Sequence, residues 1–286
     1  MKKKITGRTK IFAILGQPLE HTLSPVMYNE AFELLNYDGV YLPCPVPEGK
    51  LAEAVQGIRA LGIRGGNVTI PYKEKIIPYL DSLTDEAKLI GAVNTFYWEG
   101  DSLIGANTDG SGFLQAITQF HPPAADFPEA VILGAGGAAK AVGVVLALAG
   151  YKKIFLVNRD RKKAEELGQT LDSIGCKVDI LPWSDPGLEK VIGQVPLVIN
   201  ATPLGMNPAF PSLPPIPYES LNEQQLVVDL IYHPTETLFL RKAKERGCLT
   251  MNGLAMLLEQ GVLSFGMWTG IEAPKEEMEE ILRRWL

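Results

Sequence analysis

Cysteine, histidine, long apolar runs and positive charge are all scarce in this chain, and each scarcity removes a class of function. The cysteines, Cys44, Cys176 and Cys248, lie far apart and form no CxxC pair. That spacing suits a reducing compartment and offers no zinc framework. The histidines, His21, His121 and His233, are scattered too, and no set of carboxylates assembles beside them into a metal site. The longest apolar segment, Ala141 to Ala149, falls well short of a membrane span. Lysines after Met1 look briefly like a signal-peptide start, but the apolar run that follows, Ile11 to Leu15, is too short and has no small-residue cleavage site. No long basic run occurs and the net charge is −6, which argues against nucleic acid as the main partner. No metal, no membrane and a cytoplasmic location are the expectations.

What the chain does have is length and apolar content. With 286 residues, 46% of them hydrophobic, it can bury a large core and divides into two domains. Lys10 to Leu15 reads as a first strand, and Ser24 before Pro25 as the N-cap of a helix. A second strand, Gly39 to Val46, and a second helix, Leu51 to Leu61, follow. Helix Leu83 to Ile90, strands Ala92 to Trp98 and Ser102 to Ala106, and helix Phe113 to Phe120 complete the first half. The proline- and alanine-rich segment His121 to Pro128 reads as a linker. Beyond it, strands at Ala130, Lys153, Lys177, Leu197 and Val227 alternate with helices, the pattern of a parallel sheet covered on both faces. Met206 to Pro217 reads as a loop, and Leu254 to Met267 and Lys275 to Trp285 as closing helices.

The stretch Gly66-Asn67-Val68-Thr69-Ile70-Pro71-Tyr72-Lys73 is where chemistry is expected. Val68 and Ile70 alternate with Asn67 and Thr69, so one face of a short strand buries and the other stays wet. Pro71 stops the strand, and Lys73 stands just past its end, before a helical run from Lys75 to Leu80. Such positions present side chains on a rigid base, although this stretch alone favours a solvated lysine.

Gly134-Ala135-Gly136-Gly137-Ala138-Ala139 stands between a buried strand and a helix, the context that turns a glycine triplet into a dinucleotide fingerprint. Its glycines permit a tight turn and close approach to a pyrophosphate, whose charge meets the helix N-terminus. The next strand ends in Asn158-Arg159, where a guanidinium suits a 2′-phosphate and points to NADP. Lys163, one turn on, adds a second cation, whereas Asp160 would repel the phosphate and could hold the 2′-hydroxyl of NAD instead.

Taken in order, these stretches resemble the shikimate dehydrogenase family almost end to end. The resemblance is carried by Gly16-Gln17-Pro18-Leu19-Glu20-His21-Thr22-Leu23-Ser24-Pro25, by the Gly66 to Lys73 stretch, by Gly91 to Thr95 and by Asn107 to Gly110. The second half adds Gly134 to Ala139, Asn158-Arg159, Asn200 to Met206, Asp229 to Pro234 and the Gln260 region. It implies an N-terminal α/β substrate domain and a Rossmann-type, doubly wound dinucleotide-binding domain with a cleft between them. The substrate domain would comprise residues 1–108 plus 253–286 and the NADP domain residues 109–252, with cleft closure bringing nicotinamide to substrate.

The implied activity is reduction of 3-dehydroshikimate to shikimate by NADPH, on the way to aromatic amino acids, in a monomer or a homodimer. The family's catalytic lysine and aspartate fall on Lys73 and Asp109. Its carboxylate-binding hydroxyls fall on Thr22 and Ser24, and the residues around the ring hydroxyls on Thr69, Asn94, Tyr232 and Gln260. The cofactor set is Gly134, Ala135, Gly136, Gly137, Ala138, Asn158, Arg159, Lys163, Thr202, Met206 and Gly253. Carbonyl reduction needs a proton donor and groups that fix an anionic, hydroxylated ring, and these residue types supply both. Taken one at a time, Ser24 and Asp109 also suit helix caps, Asn94 a turn, and Tyr232 a core aromatic. Thr22 stands where the family usually has serine. With Asp160, it keeps open an NAD-linked enzyme that also accepts quinate. A nucleotide-sensing relative without catalysis is the other alternative, against which the intact Lys73 and Asp109 speak.

Overall fold

The computed structural model describes residues 5–120, 129–206 and 211–286, so the expected linker at His121 to Pro128 and part of the loop after Met206 lie outside the described residues. The chain forms two compact units, Met1–Thr108 with Leu258–Trp285, and Asp109–Leu257 with the terminal Leu286.

The first unit holds a six-stranded sheet in the order β2-β1-β3-β5-β6-β4. Its strands are β1 (Lys10–Gly16), β2 (Gly39–Pro45), β3 (Gly65–Val68), β4 (Ser82–Leu83), β5 (Thr95–Glu99) and β6 (Ser102–Ala106). β1 runs parallel to both β2 and β3, β5 is antiparallel to β3 and β6, and β4 is parallel to β6. All strands but β5 therefore point the same way, and their carboxyl ends share one edge with the start of β5. Ala13, Leu15, Val55, Ile58, Val68, Phe96 and Leu103 belong to one apolar cluster of this unit. Helix α1 (Ser24–Leu34) buries Met27, Tyr28, Ala31 and Phe32 along one stripe, and helix α10 (Lys275–Trp285) lies against it through Met278 and Leu282. Lys275 also pairs with the buried Glu259 of α9 (Leu254–Thr269).

Several local expectations are corrected here. Ser24 is the first residue of α1 rather than its cap, because Leu23 already has helical dihedrals, and no side chain caps that end. β3 stops at Val68, and both of its faces are covered. Asn67 is buried with Val68, while Ile70, expected inside, is exposed. Val68 packs into the apolar cluster on one face and Asn67 is covered by Tyr41 and Ser264 on the other, so β3 has no wet face and alternation misjudged it. The run from Lys75 to Leu80 is a single 3-10 turn, Ile77–Tyr79, because Pro78 interrupts any longer helix. The helix expected from Phe113 begins at Asp109 (α4, Asp109–Thr118), which puts the carboxylate in the first turn where the helix dipole favours it. α2 (Leu51–Ala60) and α3 (Asp85–Ile90) stand close to expectation, α3 being capped by Thr84 and closed by Gly91.

The second unit carries an all-parallel sheet in the order β12-β11-β10-β7-β8-β9. Its strands are β7 (Glu129–Leu133), β8 (Lys153–Val157), β9 (Lys177–Leu181), β10 (Leu197–Asn200), β11 (Leu226–Asp229) and β12 (Leu249–Met251). Strand order reverses between β7 and β10, the switch point of a doubly wound Rossmann fold. Helices α5 (Gly137–Leu148), α6 (Arg161–Ser173), α7 (Leu188–Gln194) and α8 (Leu238–Glu245) alternate with the strands. The inner strands β7, β10 and β11 are buried almost throughout, as continuous apolar runs in parallel sheets require. α7, α8 and β12 were not foreseen. Each is short, and α8 shows only Phe239, Leu240 and Ala243 as a buried face amid charges.

Candidate active site

In the first unit, the residues expected to hold substrate gather at the sheet edge formed by the carboxyl ends of β1, β3 and β6. Thr22 and Ser24 follow β1; the Ser24 amide reaches the Thr22 hydroxyl at 3.4 Å, and Ser24 is buried. Thr69 follows β3 and is tied back by its amide to Leu15 O at 2.8 Å. Its methyl lies over Gly16, where any added Cβ would collide with it, so the loop after β1 can run there only as glycine. Lys73 is half-buried, and its carbonyl accepts from the Val93 amide at 2.8 Å, which fixes its backbone beside Asn94. Asn94, just before β5, accepts from the Val68 amide at 2.8 Å through its carbonyl. The Asn94 side chain donates to Gln260 Oε1 at 3.3 Å across 166 residues of sequence.

Behind these groups lies a buried polar network that sequence reading missed. Tyr41 donates to Asn67 Oδ1 at 2.6 Å, and Asn67 Nδ2 reaches the Asn94 carbonyl at 3.1 Å and Ser264 Oγ at 3.4 Å. Thr108 joins Ser264 at 3.0 Å and donates its amide to Asn94 Oδ1 at 2.8 Å. Burial pushes the Tyr41 phenol well above its ordinary range, so it stays a neutral donor. The signal available in the sequence was Asn67 itself, a polar residue inside the run that carries the strongest motif.

In the second unit, the expected cofactor residues occupy the carboxyl edge of the parallel sheet. Gly134 closes β7 with φ 112°. A Cβ there would stand 3.1 Å from Ala201 O, so both conformation and space demand glycine. At Gly136 and Gly137 a Cβ would meet nothing within 4 Å, and no side chain caps the start of α5. Ala135 is buried, and Ala138 lies in the first turn of α5. Open space before an uncapped helix start fits a pyrophosphate.

Past β8, Asn158 donates to Asp160 O at 2.7 Å, and Arg159 and Lys163 are exposed. Asp160 caps α6, its carboxylate accepting from the Lys163 amide at 3.3 Å. A carboxylate held in that cap is less available to a ribose hydroxyl, which favours the guanidinium's preference for a 2′-phosphate.

Thr202 sits past β10, its hydroxyl on Asn200 Oδ1 at 2.6 Å, and Met206 is exposed four residues on. Gly253 is buried, its amide on Ile231 O at 3.0 Å, and any Cβ there would strike Leu230 O. That accounts for the glycine by packing alone. Tyr232 follows β11, half-buried, its phenol raised by that burial. Asp229, fully buried at the end of β11, accepts from Thr237, Asn200 and Ile231, yet burial still lifts its carboxyl to about 6. Asp109 is buried in the first turn of α4, directly after Thr108 in the chain. Among the described residues, no group of His, Cys, Asp and Glu is arranged to hold a metal, and no helix is long and apolar enough to cross a membrane.

Comparison with known proteins agrees with this geometry. Residues 14–96 match the shikimate dehydrogenase substrate binding domain, and residues 253–283 the shikimate 5′-dehydrogenase C-terminal domain. A shikimate dehydrogenase (NADP(+)) of Desulforamulus reducens is 46% identical over 98% of this chain and 97% of its own length. The shikimate 5-dehydrogenase of Listeria monocytogenes, solved with shikimate and NAD, superposes with a TM-score of 0.92 at 38% identity, covering 99% of each chain. A shikimate dehydrogenase solved with NADP+ gives 0.91 at 38% identity, over 99% of this chain and 98% of its own.

Proposed function

The chain belongs to the shikimate dehydrogenase family, and from that premise we propose that it reversibly reduces 3-dehydroshikimate to shikimate with NADPH. One observation carries the reading. In the first unit Thr22, Ser24, Thr69 and Lys73 follow the carboxyl ends of β1 and β3, with Asn94 on the same edge at the start of β5, and the proposed cofactor residues follow strand ends of the second unit's sheet. Carboxyl edges are where α/β sheets take their ligands.

NADPH, when bound, supplies a hydride to the carbonyl carbon. Gly134, Ala135, Gly136, Gly137 and Ala138 hold its pyrophosphate, and Asn158, Arg159 and Lys163 hold its 2′-phosphate. Thr202, Met206 and Gly253 complete the set. The remaining work falls to side chains. The Lys73 ammonium gives its proton to the carbonyl oxygen as charge develops there, and recovers it in the reverse direction. Asp109, in the first turn of α4, is the second member of the catalytic pair. The Thr22 and Ser24 hydroxyls donate to the substrate carboxylate, aided by the uncapped start of α1. Thr69, Asn94, Gln260 and Tyr232 bind the ring hydroxyls and so set the face presented to the hydride.

The enzyme acts in the cytoplasm as a monomer or a homodimer and needs no metal. Initial rates with shikimate and with quinate, each with NADP+ and NAD+, test the assignment by absorbance of the reduced nicotinamide. Shikimate with NADP+ is expected to give the highest kcat/KM. A higher value for quinate with NAD+ would reassign the substrate, and no turnover with any pair would end the reading.

A further inference from the structure

We propose that Asn67 and Ser264 are positioning residues, Asn67 for the main chain at Asn94 and Ser264 for Thr108 and the face of α9 that carries Gln260. The proposal rests on the reading of the Asn94 and Gln260 amides as substrate contacts. The argument is one of donor and acceptor count. A carbonyl can only accept, so the end of Asn67 facing the Asn94 carbonyl at 3.1 Å is its amine. Its oxygen then faces Tyr41, whose hydroxyl donates at 2.6 Å. The same amine reaches Ser264 Oγ at 3.4 Å, and that hydroxyl shares a hydrogen bond with Thr108 Oγ1 at 3.0 Å.

A main-chain amide can only donate, so Thr108 N fixes Asn94 Oδ1 toward itself at 2.8 Å. Asn94 Nδ2 is thereby turned to Thr108 Oγ1 at 2.9 Å and to Gln260 Oε1 at 3.3 Å. Gln260 must then present its oxygen to Asn94 and aim its amine elsewhere. A connected chain runs from Tyr41 through Asn67, Ser264 and Thr108 to the two amides, and each member is buried. Water cannot replace a lost partner in such a place, so one deletion is felt along the chain. Ser264 and Gln260 are also one turn apart on α9, so anchoring the serine anchors the helix face that carries the glutamine.

The test is Ser264→Ala, read three ways. The KM for shikimate is expected to rise about tenfold while the KM for NADP+ stays within about twofold, the size of one buried hydrogen bond. In a Gln260→Ala background, adding Ser264→Ala should cost less than about twofold, because the two act as one unit. The side-chain amide resonances of Asn94 and Gln260 should both shift in the ligand-free protein. An unchanged KM for shikimate, additive effects, or unmoved resonances would each overturn the proposal. Wild-type protein that fails to oxidise shikimate would instead refute the functional reading, and the resonances alone would then decide the positioning. If Ser264→Ala does not fold, Asn67→Asp, matched in shape but unable to donate to the Asn94 carbonyl, takes its place with the same readouts.

Discussion

In the sheet built on β7, the groups proposed to meet the pyrophosphate are largely main chain: the turn at Gly134, the open approach at Gly136 and Gly137, and the uncapped start of α5. In the sheet built on β1 the groups proposed for the substrate are side chains, Thr69, Asn94 and Gln260, with a buried network reaching from Asn94 to Tyr41. A phosphate diester needs only charge and close approach, which glycines and a helix end supply. A ring with several hydroxyls needs donors and acceptors in a set order, and that order must be held from behind. The second unit therefore buries few polar groups near its ligand edge, Asn200 and Asp229 chief among them, while the first spends core volume on amides and hydroxyls.

The comparison can be broken most sharply at Lys73. Lys73→Ala should lower kcat by about 10²- to 10⁴-fold with little change in KM for shikimate, as loss of a general acid does. A rise in KM at constant kcat would make the lysine a binding group and the first unit merely a clamp. Next, Arg159→Ala should raise the KM for NADP+ about 10- to 100-fold while leaving NAD+ and shikimate kinetics nearly unaltered, since charge-assisted hydrogen bonds are worth about 1.5–3 kcal/mol. Equal losses with both nucleotides would place the guanidinium away from the 2′-phosphate.

A pair of glycines sharpens the main-chain half. Gly134→Ala forces a side chain into φ 112° beside Ala201 and should cost about 1–3 kcal/mol in a denaturant titration. Gly136→Ala meets open space, so its stability should hold while the KM for NADP+ climbs. Equal destabilisation by both would show that the turn is built for packing alone.

A pH effect away from the proposed contacts concerns Asp229, whose carboxyl is lifted to about 6 from an ordinary 3.8. A carboxyl raised by folding keeps its proton longer in the native state than in the unfolded chain. The native protein therefore binds more protons between those two values, and stability falls as pH rises from about 4 to 6. Its hydrogen bonds from Thr237, Asn200 and Ile231 offset part of the burial cost. Asp229→Asn removes the titration, and the slope of stability against pH in that window should flatten by at most about 3 kcal/mol in total. A slope that persists in the variant would assign it to other groups.

The parallel strands of the second unit were legible because each is an apolar run followed by glycine or polar residues and then a helical period, as in Ala130 to Ala149. The family motifs were legible because they are contiguous. α8 and β12 were not, since Phe239, Leu240 and Met251 become core only when neighbouring strands cover them. Asn67 was misjudged for the same reason. A period of two predicts one wet face, and only the packing of Tyr41 and of Ser264 from α9 against Asn67 removes it.

By itself the sequence determined the strand–turn–helix at Gly134 and the cations after β8. Those signals are local, set by dihedral limits and by which groups can carry charge. Tertiary structure decided that Asn94 meets Gln260 across 166 residues, and that Ser264 and Tyr41 hold Asn67 between them. Hydrogen-bond direction in a buried network depends on what every neighbour can donate or accept, and that inventory exists only once the chain has closed around it.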